Sequence, residues 1–164
     1  MSNPIDGIDQ FAELVMAIVN ADGDPEVFFD VAKGAIDWHA SPPRAVWEPT
    51  QDRYAAAQKT PRGRKAPSMA TRMAGAVVHL WADASPDGTV SCTAATERLI
   101  RRVVRAMVQV GGPSPFFELG QGAWNDRPGQ TDAGRGYDLP FVVAVDMSLE
   151  PRLTVAEARA ALDP

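Results

Sequence analysis

The sequence predicts an α+β fold, in which a mostly antiparallel sheet of about four strands is covered by two main helices and carries one long, extended basic loop. Two segments have the three-and-four apolar spacing of amphipathic helices, and four others are rich in β-forming residues or alternate with period two. Helices and strands do not alternate regularly, as they would around a parallel sheet. At 164 residues, the chain is expected to form one domain, 1–164.

The first helix is predicted over 8–19, where one face carries apolar residues: Ile8, Phe11, Leu14, Val15 and Ile18. A second, short helix is predicted after Asp24, which can cap it with Pro25 at its first position. Its apolar residues keep helical spacing: Phe28, Val31, Ala32 and Ala35. A short strand follows over 44–48 and is expected to end at Pro49.

The segment 50–72 has neither helical nor strand periodicity and is predicted to be a flexible loop. It contains six basic residues and no acid from Arg53 to Arg72. The six are Arg53, Lys59, Arg62, Arg64, Lys65 and Arg72. Only ten basic residues remain against the 21 acidic ones, so the rest of the molecule carries a formal charge of −11.

The segment 74–82 is a nearly continuous apolar run and predicts a covered, central strand. A helix over 94–110 should begin after a Thr93 cap and stop at the glycines that follow it. Its apolar stripe consists of Leu99, Val103, Ala106, Met107 and Val110. A second face carries four arginines: Arg98, Arg101, Arg102 and Arg105.

The segments 116–124 and 136–147 are predicted to form a hairpin. In the second, alternate residues from Tyr137 to Met147 are apolar and predict a core-facing side, with Asp138 and Asp146 on the other. Pro140 lacks an amide donor and predicts an edge strand or a bulge. A short C-terminal helix is predicted over 154–162. The strand tryptophans, Trp47, Trp81 and Trp124, are expected to pack in the core, with one of them available for an oligomer interface.

Composition narrows the functional classes. The net charge of −5 gives the molecule as a whole no attraction to DNA, so any contact with nucleic acid would be local. A single cysteine, Cys92, excludes an internal disulfide and fits a reducing compartment. Neither a signal peptide nor a long apolar span is present in the sequence, so a cytoplasmic setting without membrane attachment is expected.

Candidate catalytic residues are few. His79 lies inside an apolar strand and is expected to be a hydrogen-bonded structural histidine, while Cys92 is expected to be structural. An enzyme would need His79, Cys92 or an acid pair such as Asp126 and Asp132 to converge in a pocket. The sequence contains no complete calcium loop, phosphate-binding loop or dinucleotide fingerprint, so no enzymatic activity, metal or cofactor is expected.

The basic loop favours contact with a partner, because structureless connections of this length are usually functional or disordered. With Tyr54 as its one aromatic residue, it lacks the stacking residues of a single-strand binder, which favours a protein partner over nucleic acid. A solvated loop without a partner is the remaining alternative. The arginine face of the helix is open to the same two interpretations, interface or solvated surface.

Five stretches together resemble tail terminator and tail-completion proteins of tailed bacteriophages: 43–54 (PRAVWEPTQDRY), 77–81 (VVHLW), 96–99 (TERL), 122–124 (GAW) and 136–141 (GYDLPF). The similarity spans about residues 43–147, and these are patterns rather than catalytic signatures. It does not extend to 1–41 or 154–162.

The resemblance implies a non-enzymatic virion component that forms a homo-oligomeric ring, usually a hexamer, on the end of the tail tube. Such a ring stops tube polymerisation, joins the tube to the head-side connector and has a passing contact with genomic DNA in its lumen. The protein would be assembled in the host bacterial cytoplasm. The basic loop and the helix arginines would then serve as interface residues. A neck or head–tail connector component, and a nucleic-acid-binding module that uses the basic loop, are the alternatives.

Overall fold

The computed structural model describes residues 7–21, 25–55, 70–112, 117–126 and 135–147. Within them the fold is α+β, as predicted. The helices are α1 (Ile8–Ala21) and α2 (Cys92–Gly111). The strands are β1 (Phe28–Val31), β2 (Arg44–Ala55), β3 (Ala70–Trp81), β4 (Glu118–Leu119), β5 (Ala123–Asp126) and β6 (Arg135–Met147).

The strands form one mixed sheet of six, in the order β1-β2-β3-β6-β4, with β5 also paired to β6. The prediction of about four strands was therefore too low. The β1–β2 pair is parallel and the others are antiparallel. The long strands β2, β3 and β6 lie side by side, so β3 is the central strand that its apolar sequence predicted.

Both helices pack on one face of the sheet, here called the inner face. From α1 the core receives Phe11, whose ring lies 5.9 Å from that of Trp47 on β2 and 5.3 Å from that of Phe141 on β6. From α2 it receives the predicted stripe, with Val103 and Met107 fully buried. Leu14, predicted on the buried face of α1, is 40% exposed instead.

The short helix predicted after Asp24 is wrong, because residues 28–31 form β1. The side chain of Asn20 accepts a hydrogen bond from the Val27 amide and donates one to the Val27 carbonyl, which brings the chain back beside α1. β1 then pairs with the start of β2, Phe28 opposite Arg44. The hydrogen bonds between β1 and β2 stabilise this segment more than a helix of only two turns would.

The predicted end of β2 at Pro49 is also wrong. The strand continues to Ala55, with a register shift between Pro49 and Asp52 that accommodates the missing amide donor as a bulge. Thr50–Ala55 and Ala70–Arg72 are consequently strand, so the predicted loop 50–72 was too long at both ends. Residues 56–69 lie outside the described residues, as does the predicted helix over 154–162.

β6 carries the predicted alternation, with Leu139, Phe141 and Val143 buried. The predicted hairpin is present, but its first strand is divided into β4 and β5, and Phe116 lies outside the described residues. The edge position predicted from Pro140 is wrong, because β6 has neighbours on both sides. Pro140 lies opposite the break between β4 and β5, where its carbonyl accepts from the Gly120 amide at 2.7 Å. The missing amide donor of Pro140 is tolerated there because the strand pairing is interrupted.

Helix α2 begins two residues earlier than expected. Its N-cap is Ser91, whose hydroxyl accepts from the Ala94 amide at 3.1 Å, so the predicted cap at Thr93 is wrong. Serine and threonine hydroxyls both serve as N-cap acceptors, and Ser91 and Thr93 are two residues apart. The sequence therefore predicted the type of cap without locating it.

Candidate functional site

The long strands extend beyond the hydrophobic core. Among the residues whose side chains the structure describes, the last core residues are Trp47 on β2, Ala74 on β3 and Val143 on β6. The strand pairing continues to Ala55 opposite Thr71 and to Ala70 opposite Met147. We call the extension the arm, comprising residues 49–55, 70–73 and 144–147. It contains the two ends of the predicted basic loop, with Arg53 on β2 and Arg72 on β3.

The arm holds three of the predicted interface residues. Tyr54 is 61% exposed and lies opposite Arg72 in the register, and Arg53 is exposed on the other face. Arg72 donates to Asp52 at 2.8 Å, which ties β3 to β2 across the ladder. The four remaining basic residues of the predicted loop lie outside the described residues: Lys59, Arg62, Arg64 and Lys65.

The predicted arginine face of α2 divides into two kinds of residue. Arg98, Arg101 and Arg105 are exposed. Arg102 is half-buried and donates to the Val19 carbonyl at 3.0 Å and to the Pro25 carbonyl at 3.3 Å. Arg102 therefore fastens α2 to the end of α1, while the other three remain available for a partner.

On the outer face of the sheet, opposite the helices, His79 on β3 lies between two carboxylates. Its Nδ1 is 2.6 Å from Asp138 Oδ1 on β6, and its Nε2 is 2.9 Å from Glu48 Oε2 on β2. The side chain of Asn125 on β5 donates to the other oxygen of Asp138. We call His79, Glu48 and Asp138 the His79 cluster. It confirms the expectation of a hydrogen-bonded histidine and joins the three long strands.

The electrostatics of the cluster favour the charged form of the histidine. Burial alone lowers the pKa of His79, but the hydrogen bonds and charges of Asp138 and Glu48 outweigh burial and raise this pKa above 6.5. Burial likewise acts to raise the pKa of Asp138, whereas the bonds from His79 and Asn125 bring it below 3.8. Both shifts favour the charged forms, so His79 and Asp138 form an ion pair within the cluster.

Sequence reasoning missed the aromatic cover of the cluster. Trp38 lies in the 32–43 connection between β1 and β2, with its ring 5.2 Å from that of His79 and 5.6 Å from that of Trp81. The period-two pattern places Asp138 opposite the core face, but only the strand register pairs it with His79. Trp38 lies in no periodic segment, so no pattern indicated its contact.

The other tryptophans divide as follows. Trp47 and Trp81 are fully buried, as predicted, although Trp81 packs with Trp38 on the outer face rather than in the core beneath the helices. Trp124 is half-buried beside Tyr137, with ring centroids 5.2 Å apart.

The other candidate catalytic residues do not join the His79 cluster. The Cys92 thiol donates to the Ala82 carbonyl at 2.9 Å. Asp126 is exposed near Arg135, and its suggested partner Asp132 lies outside the described residues. In the part of the chain that the structure describes, no group of three or more His, Cys, Asp or Glu residues is arranged to hold a metal ion.

Two surface cavities lie away from the His79 cluster. One, of about 500 Å³, lies beside the β2 bulge and is lined by Arg53, Gly75 and Pro140 among others. The second, of about 580 Å³, includes Arg98 and Arg102 in its lining. Predicted interface residues therefore border both cavities.

Neither of the two described helices has the length and apolar character that crossing a membrane requires. No model of a known protein family matches the chain, and no curated protein is significantly similar to it.

Proposed function

We propose that the protein is a structural component that assembles into a ring, of the kind formed by the tail terminators of tailed phages. The arm is the observation that carries this proposal. It consists of strands that continue past the core, with Tyr54 exposed on one face and Arg53 on the other. Strands gain stability from packing a face, and an uncovered extension of a sheet gains that stability when a partner covers it.

Charge favours a second copy of the chain as the partner of the arm. The segment from Arg53 to Arg72 carries six of the 16 basic residues, and the remainder of the chain has a formal charge of −11. The basic segment from Arg53 to Arg72 of one copy and the acidic remainder of the next are two different patches. An interface between different patches is head-to-tail, and it closes into a ring when the rotation permits.

The terminator role is the specific form of this proposal. A ring on the end of a tail tube stops the tube from growing and presents its other face to the head-side connector. A neck component would use the same arm between copies, but it would not limit tube length. A nucleic-acid-binding module would direct the arm to phosphate groups instead, and its affinity would fall steeply with added salt.

The test is the mass of the purified protein in solution, measured by light scattering at low and moderate salt. We expect a discrete oligomer, and we expect Arg53→Glu combined with Tyr54→Ala to yield monomers. Lys33→Glu is the matched control, because Lys33 is exposed outside the arm and its substitution changes the net charge equally. Equal unfolding midpoints for the two variants would show that the arm substitutions leave the fold intact.

Added to the tube protein of its own particle, a terminator shortens the tubes to a uniform length, whereas a neck component leaves their length unchanged. A wild-type protein that stays monomeric, leaves tubes unaltered and binds a short DNA duplex in a salt-dependent manner would overturn the proposal in favour of the nucleic-acid-binding module.

A further inference from the structure

We propose that the His79 cluster is a protonation-dependent clamp that holds the 32–43 connection, through Trp38, against the outer face of the sheet. This inference does not depend on the ring, since the clamp lies within one chain and outside the arm.

The geometry of the imidazole makes the contact depend on a proton. Both ring nitrogens of His79 face carboxylate oxygens, at 2.6 and 2.9 Å. A neutral imidazole has one N–H donor and one lone pair, whereas imidazolium has two donors. Only the charged ring can donate to Asp138 and Glu48 together. After loss of the proton, one carboxylate faces a lone pair, and that contact becomes repulsive.

The surroundings hold Asp138 more firmly than Glu48. Asn125 donates to the second oxygen of Asp138, and the Asp138 side chain is 26% exposed against 43% for Glu48. Glu48 is therefore the more mobile partner and the one that can turn towards water when the proton leaves. With the proton present the three charges sum to −1, and without it two carboxylates remain beside a neutral ring.

The 32–43 connection is coupled to the cluster through Trp38. Its ring lies at 83° to the His79 ring and 5.2 Å away, a distance at which an imidazolium also attracts an aromatic ring. Trp38 packs on Trp81 as well, so it covers the outer face at the end of β3. When His79 loses its charge, Trp38 loses the attraction to the imidazolium ring and is held by its contact with Trp81 alone.

The charged groups around the cluster give the direction of the pH dependence. Glu48 faces His79 from β2 and Asp138 faces it from β6; the neighbours from β5 and from the connection are the uncharged Asn125 and Trp38. Two further pairs lie nearby: Asp37 accepts from the amide of exposed His39, and Arg44 is paired with Asp30.

The pKa of His79 is raised in the folded state. Its contribution to the stability of the closed clamp is therefore complete below pH 6.5 and is lost as the pH rises through that folded pKa. Asp138, whose folded pKa is lowered, contributes above pH 3.8 and loses its contribution as the pH falls through its folded pKa. The clamp is thus closed between pH 3.8 and 6.5 and opens as the pH rises through the folded pKa of His79. For each unit by which the pKa of His79 is higher in the closed state than in the open state, loss of the proton lowers the ratio of closed to open clamp about tenfold.

The test follows the two histidines of the full ¹⁵N-labelled chain through a pH titration in long-range ¹H–¹⁵N spectra, with His39→Gln used for assignment. We expect the ring of His79 to carry protons on both nitrogens at pH 6.5 and to titrate above that value. Asp138→Asn and Glu48→Gln should each lower the midpoint, because each removes a negative charge and leaves a side chain of the same shape.

The second readout is amide hydrogen exchange in the 32–43 connection, relative to the intrinsic rate at each pH. We expect exchange to increase through the His79 midpoint in the wild type and to lose this step in His79→Gln. If that variant fails to fold, the two carboxylate variants supply the test, since each should move the exchange step to lower pH. A singly protonated His79 ring at pH 6.5, or exchange without a step at its midpoint, would overturn the clamp.

Discussion

Arg102→Ala tests whether the arginine face of α2 is structural or free. Arg102 donates to the Val19 carbonyl, in the last turn of α1 where carbonyls lack a partner within the helix, and to the Pro25 carbonyl beyond the end of α1. A hydrogen bond from a charged donor contributes about 1.5–3 kcal/mol when buried and less when exposed. The bond to Val19 is partly buried and the bond to Pro25 is exposed, so we expect a loss of about 1–2 kcal/mol in the free energy of unfolding.

The control is Arg101→Ala, one position away and exposed. Both substitutions bring the same gain in helix propensity, so their difference isolates the contacts with the end of α1. Arg101→Ala should change stability by less than about 0.5 kcal/mol. Arg102→Lys should lose part of the stability, because one ammonium cannot reproduce the guanidinium fork. Urea unfolding gives all three values, and equal midpoints for the two alanine variants would refute the structural role of Arg102.

Three further predictions concern the helix cap, the core and the bulge, and urea unfolding measures each. Ser91→Ala should cost about 1 kcal/mol and Thr93→Ala less than about 0.5, and the reverse order would contradict the position of the cap. Phe11→Ala removes the ring at the centre of the aromatic core and should cost about 3–5 kcal/mol, so a loss below about 1 would show that the site collapses. Gly75→Ala places a methyl group 2.7 Å from a carbonyl oxygen of the β2 bulge and should cost about 1–3 kcal/mol, whereas Gly34→Ala meets nothing within 4 Å and should be neutral.

Elements with long, regular patterns could be predicted from the sequence. α1, α2 and β6 each extend over several periods, and their buried residues follow from spacing alone. The exposure of Leu14 shows the limit of that spacing, because which edge of an apolar stripe is covered depends on the neighbouring elements.

The elements that could not be predicted depend on partners distant in sequence. β1 has four residues and exists because β2 offers it a parallel edge. The arm part of β2 has few apolar residues and follows Pro49, a residue type that ends most strands. Its pairing with β3 nevertheless extends β2 beyond that proline. The His79 cluster likewise joins positions 31 and 59 residues apart, which only the strand register brings together.

The three features under test can be perturbed separately. Arg102 acts between the helices, the His79 cluster acts on the outer face, and Arg53 and Tyr54 lie in the arm. Within the described part of the chain these groups share no hydrogen-bond partner, so the effects of their substitutions should add. A variant of the arm that loses assembly while keeping both its unfolding midpoint and the His79 titration would therefore locate the loss in the contact between copies. If the same variant shifts that titration, the arm and the cluster are coupled, since β2 carries Arg53, Tyr54 and Glu48, and assembly would then depend on pH through His79.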